Sequence, residues 1–294
     1  MAIKALWAGR QLSVRPYQDG DEVAVLDLVA ADRLPGQPPT TLAMLAEALA
    51  GRSPIDGGWW AELEAPVTEV ICDETSTVLG AVSYATRRSD GAGFILWLHC
   101  REDQVLTEAL ITRAIDQLGQ RTVHAFEFAS ALTLGLEGLP ASHRPATRRA
   151  LEATGFTGRD LWRYMRADLP VTGLPHAAHC TITGCQDPPG KRLEVREGGE
   201  VLAEATIGLP AAGIGVLWWI GVTPAARGRG LGLALLGSAL DLLNGLGAGE
   251  AILFVDDDAP ADPDPERDRT AANSLYDRAS FTEVDRLHSF TRHP

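Results

Sequence analysis

The sequence predicts an α+β protein of two domains, each a mixed, mostly antiparallel sheet flanked by helices, the C-terminal copy truncated at its start. Three observations predict it. The chain has 294 residues, about twice the usual size of a single domain. Strand-like and helix-like segments alternate in both halves. The order of segments in the second half then repeats the tail of the first.

The first half opens with Leu12-Ser-Val-Arg-Pro-Tyr17, a short alternating strand. The acidic cluster Asp19-Gly-Asp-Glu22 suits the N-terminus of a helix over Val23–Ala31, where carboxylates favour the dipole. Arg33–Thr41 reads as a Pro-rich turn and Leu42–Ala50 as a second helix. Val67–Cys72 and Val78–Thr86 read as paired strands turning at Asp73–Ser76. A strand (Phe94–His99), a helix (Gln104–Leu118), a strand (Val123–Phe128), a helix (Pro145–Thr154) and a strand (Leu161–Asp168) complete the half.

Leu169-Pro-Val-Thr-Gly-Leu-Pro175 punctuates the chain and reads as a linker, giving domains 1–170 and 171–294. Beyond it, Leu193–Arg196 and Val201–Gly208 form a hairpin around Glu197-Gly-Gly199. Val216–Val222 is a strand, Leu231–Leu246 a helix, Ala251–Val255 a strand, Thr270–Ala279 a helix and Val284–Thr291 a strand. Leu96-Trp97-Leu98 answers Leu217-Trp218-Trp219, Ala114–Leu118 answers Ala239–Leu243, and Ala150–Phe156 answers Leu275–Phe281. The second copy lacks the two leading helices, so one face of its sheet is expected to be open.

Composition narrows the partners. Lys+Arg 26 against Asp+Glu 39 leaves a net charge of −13, which disfavours binding to nucleic-acid phosphates or anionic membranes. No long apolar segment marks a membrane span or a secretory leader at Met1–Arg10, and four sparse cysteines suit a reducing cytoplasm. The expected partner is a small molecule, with no nucleic acid and no membrane, for a monomer or homodimer. His176, His179, Cys180 and Cys185 are metal-ligand types at loose spacing, and no metal is expected there.

The stretch that carries chemistry is Trp218-Trp-Ile-Gly-Val-Thr-Pro-Ala-Ala-Arg-Gly-Arg-Gly-Leu-Gly232. A strand ends near Val222, a loop rich in Gly and Arg follows, and an apolar helix begins near Leu231. Glycines admit a ligand close to the backbone, and N–H groups at a helix start cradle an anion. Arg227 and Arg229 add positive charge, so a phosphorylated cofactor suits this place. Gly228, Gly230 and Gly232 miss the dinucleotide G-x-G-x-x-G spacing, and no Lys-Ser or Lys-Thr pair makes a Walker loop.

Arg227-x-x-Gly230-x-Gly232 behind Val222-x-Pro224 resembles the acyl-CoA loop of the GNAT N-acetyltransferase superfamily. Ala272–Phe281, with Leu275-Tyr276, resembles that family's closing helix, and Phe281–Phe290 its last strand. The resemblance covers roughly residues 193–294 and implies acetyl-CoA as co-substrate. It places the pyrophosphate on Arg227, Gly228, Arg229, Gly230, Leu231 and Gly232, and the pantetheine arm along Ile220, Gly221 and Val222. Gly221 would supply the bulge that splays this strand from its neighbour. An amine then attacks the thioester directly, with Tyr276 as the acid for the departing thiolate and Asn273 as a pantetheine ligand.

Departures from the family are Arg269 where Asn is common, Ser280 where Gly precedes the terminal Phe, and no carboxylate on Val216–Val222. Glu204 and Asp256 are the alternative bases. Asp256–Arg269 holds seven acids in fourteen residues, which would recruit a cationic amine or form a solvated insertion. Amino-sugar thiol precursors, aminoglycoside-like amines and peptide-like amines all suit as acceptors. In the first copy the loop is Cys100-Arg-Glu-Asp-Gln104, acidic and without glycine, and Leu151 answers Tyr276, so this copy is expected to be inactive. The rival reading is a non-catalytic acyl-CoA-binding or regulatory protein.

Overall fold

The computed structural model describes residues 3–7, 9–256 and 270–294. The elements of the first part are β1 (Ile3–Trp7), β2 (Arg10–Pro16), α1 (Glu22–Ala31), α2 (Leu42–Leu49), α3 (Gly57–Ala61), β3 (Val67–Cys72), β4 (Val78–Thr86) and β5 (Gly93–His99). Next come α4 (Gln104–Leu118), β6 (Val123–Ala125), β7 (Leu139–Pro140), α5 (Pro145–Ala153) and β8 (Thr157–Asp168). The second part holds β9 (Cys180–Gln186), β10 (Pro189–Glu197), β11 (Glu200–Gly208), β12 (Ile214–Val222), α6 (Leu231–Gly245), β13 (Glu250–Asp256), α7 (Thr270–Arg278) and β14 (Thr282–Arg292).

Two compact units result. The first takes the described residues up to Leu161 together with Arg286–Pro294, and the second is Trp162–Asp285. This differs from a division at residue 170. The dividing lines fall inside β8 and β14, because each strand serves one unit with its first part and the other with its last. The expected linker is not free either: Ala177 N–H donates to Ala234 O at 3.1 Å, and His176 Nε2 lies 2.6 Å from Asp241 on α6. A Cβ at Gly237 would meet Pro175 O at 2.3 Å, so only glycine lets the segment lie this close to the helix.

In the first unit the strand order is β1-β2-β3-β4-β5-β6 with the end of β14 beside β6. All neighbours are antiparallel except β5 and β6. Both faces are covered. Leu98, Leu110, Ile111, Leu151 and Phe290 pack on the side of α4 and α5. Val25, Leu45, Trp60, Phe94 and Trp97 pack on the side of α1–α3. Every residue of β5 is buried, which is why it reads as a continuous apolar run.

The second unit has the order β8-β13-β12-β11-β10-β9, antiparallel except for β12 with β13. Its core joins Leu217, Leu235, Leu236, Leu253, Tyr276 and Phe281 on the α6–α7 side. Among the described residues no helix precedes α6 in this unit, and Trp219 on the opposite sheet face is 55% exposed. That is the open face expected of a truncated copy.

The duplication is visible in backbone register. In β5, Ser83 stands opposite Trp97 and Tyr84 opposite Ile95, so Leu96 is bulged; in β12, Thr206 stands opposite Trp219 and Ile207 opposite Leu217, so Trp218 is bulged. Parallel pairing ends at Ile95 in one unit and at Leu217 in the other. Ile95-Leu96-Trp97 therefore answers Leu217-Trp218-Trp219, one residue away from the match read in sequence. The helices keep their alignment: Leu110, Ile111, Ala114 and Leu118 are buried on α4 where Leu235, Leu236, Ala239 and Leu243 are buried on α6.

Candidate functional site

The parting of β12 from β13 makes the site. Ile214–Leu217 pair with Glu250–Leu253, while Phe254–Asp256 continue only along β8. From Trp218 to Val222 the side of β12 turned away from β11 has no ladder partner among the described residues. The bulge that begins this divergence is Trp218 and not Gly221. A bulge adds a residue and twists its strand, and that turns the rest of β12 outward. Ile220, Gly221 and Val222 all lie on the diverged part.

The loop that follows makes one turn of 3-10 helix at Pro224–Ala226, with Ala226 buried and Thr223, Arg227, Gly228, Arg229 and Gly230 exposed. Gly228 and Gly230 have φ of +76° and +75°, a conformation that favours glycine. Gly230 is the N-cap of α6, and no side chain caps it. The first amides of α6, at Leu231 and Gly232, therefore retain their hydrogen-bonding capacity together with the positive end of the helix dipole. Arg229 Nη1 lies 3.1 Å from Glu197 in an exposed pair that contributes little to stability. A groove of ≈ 290 Å³ adjoins the loop, walled by Ala177, Val195, Leu202, Arg229 and Leu231.

Tyr276 and Asn273 lie on α7. Tyr276 is buried, its ring 6.0 Å from Phe281, and the neighbouring Leu275 reaches to 3.9 Å from the Cβ position of Gly232. Helix α7 thus meets the first turn of α6 one residue before the tyrosine. Asn273 Oδ1 accepts from Arg163 Nη1 at 2.5 Å, and Arg163 also pairs with Glu283 at 2.6 Å. Asn273 accordingly ties α7 to β8. Arg163 had no signal in sequence, because it is 110 residues from its partner.

Glu204 stands opposite Gly221 in register. Its neighbours Ala203 and Ala205 point into the α6 core, so Glu204 lies on the open sheet face. The side chain of Asp256, Arg269 and the acidic stretch 257–268 lie outside the described residues. Cys180 and Cys185 sit at opposite ends of β9, and His176 is engaged by Asp241; no group of three metal-ligand side chains gathers among the described residues.

The first unit treats the same place differently. Asp103 caps α4, its carboxylate accepting from Val105 N–H at 3.0 Å and Leu106 N–H at 3.2 Å. Glu102 accepts from Ala146 N–H at 2.7 Å and Thr147 N–H at 3.1 Å, at the start of α5. Both helix starts thus hold carboxylates of the protein itself. The start of α6 in the second unit has no such side-chain cap.

Residues 158–263 match the Acetyltransferase (GNAT) family. The chain is similar along nearly its whole length to a tandem GNAT protein from the clavulanic acid biosynthesis pathway: TM-score 0.64, 16% identity, 95% of this chain and 98% of that one. It is likewise similar to a GCN5-related N-acetyltransferase from Sphaerobacter thermophilus: TM-score 0.61, 16% identity, 96% of each chain. The fold is shared with both proteins. In sequence it is 36% identical over 86 residues to mycothiol acetyltransferase of Beutenbergia cavernae, covering 29% of this chain and 26% of that protein. It is 38% identical over 104 residues to mycothiol acetyltransferase of Pseudarthrobacter chlorophenolicus, covering 34% and 29%. The matched segment spans less than a third of either relative.

Proposed function

We propose that the protein is an N-acetyltransferase whose second unit transfers acetyl from acetyl-CoA to a primary amine of a small cationic molecule. The observation that carries this reading is the uncapped start of α6, set behind a strand that has parted from its neighbour. The residues fit the co-substrate. Leu231 and Gly232 amides with Arg227 and Arg229 suit a pyrophosphate, and the unpaired edge of Ile220–Val222 suits a pantetheine amide chain. When bound, acetyl-CoA supplies the activated thioester. The chain's own part is to hold and orient it, to offer strand amides near Val222 to the carbonyl oxygen, and to supply a proton to the thiolate from Tyr276. Glu204, on the open face beside Gly221, is placed to attract the ammonium form of the acceptor and to take its proton. An amino-sugar thiol precursor is one acceptor suggested by the relatives' names; aminoglycoside-like and peptide-like amines are the others.

The test is thiol release from acetyl-CoA with a panel of primary amines. Tyr276→Phe is expected to lower kcat about 10²-fold, the usual contribution of a positioned acid, while CoA affinity stays near that of the parent. Turnover unchanged by this substitution would remove Tyr276 from the mechanism. CoA binding with no turnover on any amine would favour the non-catalytic reading.

A further inference from the structure

The first unit holds a pocket of ≈ 60 Å³ at the place where β5 leaves β6. Leu96, Trp97 and His99 of β5 line it from one side, Phe126 and Phe128 from another. Asp32, at the end of α1, and Arg144, at the start of α5, close one end. Four features decide what it can take.

The first is charge. His99 Nδ1 lies 3.0 Å from Asp32, and Arg144 lies 3.4 Å from Asp32 and 3.0 Å from Glu102. Burial, reinforced by the Arg144 charge, holds His99 below the usual imidazole range and keeps it neutral near pH 7. Burial opposes ionisation of Asp32, yet the His99 hydrogen bond and the Arg144 charge outweigh it and hold that carboxyl low. Glu102 is matched by Arg144 and by the first amides of α5. The buried charges are thus partnered with one another, and Arg33, which also borders the pocket, is exposed to solvent, so a charged guest would meet no buried counter-charge of its own.

The second is an open donor. Trp97 is 2% exposed, and its Nε1–H has no acceptor among the described residues. Buried donors are nearly always satisfied, by protein, by ordered water or by a ligand that displaces it. The third is the rest of the wall, where Leu34, Phe126, Phe128, Leu132 and Leu136 are apolar and Gln37, Thr40, Ser130 and Thr133 add uncharged polar groups. The fourth is size. A space of ≈ 60 Å³ exceeds what one water needs and falls well short of the roughly 150 Å³ that accepts benzene. Asp103 and Glu102 also fill the neighbouring helix starts, so no pyrophosphate anchors whatever enters.

We propose that this pocket is a ligand site for a small uncharged molecule of about three to five heavy atoms carrying a carbonyl-type acceptor for Trp97 Nε1–H, a short primary amide being the simplest case. The first unit would then be a small-molecule binding module that works without a CoA handle, whatever the second unit catalyses.

The test uses the full chain labelled with ¹⁵N. Trp97 is identified among the seven indole N–H signals by its loss in Trp97→Phe. Acetamide is titrated, with acetate and ethylammonium as charged molecules of similar size. Acetamide is expected to move the Trp97 signal saturably in the millimolar range and to raise Tm, with both effects intact in Gly230→Asp. Neither ion is expected to move it. A Trp97 signal that none of the three moves, or that drifts without saturating, means that the pocket takes only water and overturns the proposal. A stronger response to either ion overturns the uncharged class. A Tm rise with acetamide that persists in Trp97→Phe places the binding elsewhere and overturns it as well.

Discussion

Single residues in this protein carry effects that composition does not reveal. Burial lifts the Glu137 carboxyl to about 7, and the nearby Asp56 carboxylate adds to the shift. In the unfolded chain the same group titrates near 4.5. Between those values the native state keeps a proton that the unfolded state has released. The stabilisation from this group is therefore complete below about pH 4.5 and is lost as pH rises through about 7. The expected loss is up to about 3 kcal/mol. Glu137→Gln should remove that decline, so the difference in denaturation free energy between parent and variant should change across pH 5–8. Parallel curves would show that Glu137 titrates normally. Ser280 illustrates a different constraint. It sits at φ +62°, where the matching residue of the first unit is Gly155 at +91°. The sequence showed the Gly-to-Ser departure, and the structure shows that the backbone kept its left-handed turn regardless.

At the scale of elements, the start of a helix separates the two units. Asp103 shows what a carboxylate does there: it takes two amide hydrogens and leaves none for an outside anion. Gly230→Asp should set a carboxylate at the start of α6 and weaken CoA binding at least about tenfold, at some cost in stability because φ there is +75°. Calorimetry on the variant decides it, and retained affinity would sink the loop assignment. The glycines of the loop were readable in sequence because their constraint is local: Gly228 and Gly230 sit at φ of +76° and +75°. Helix α4 was readable to the residue because its apolar period is 3.6. The bulge was not readable, since register belongs to a pair of strands and not to one. Strand β9 was missed for a related reason: its residues are mostly exposed at a sheet edge, so they carry no apolar alternation. The role of Arg163 depends on α7 folding back onto β8, which no spacing encodes.

At the scale of the whole molecule, the units are not consecutive pieces of chain. Arg286–Pro294 belongs to the first unit, where Phe290, Thr291 and Arg292 pair with Ala125, His124 and Val123. Leu287 and Phe290 are fully buried there, each contributing roughly 2–3 kcal/mol by apolar burial. Removing residues 286–294 should therefore unsettle the first unit. Amide exchange at Val123–Ala125 is expected to speed up at least about tenfold. Unchanged protection of β6 would contradict the division of the chain. No described helix is long and apolar enough to cross a membrane.

The placement of β14 also bears on how the protein is made. The first unit leaves the ribosome first but cannot close its sheet until β14 has followed. Throughout synthesis β6 is a bare edge, open to pairing with a foreign strand.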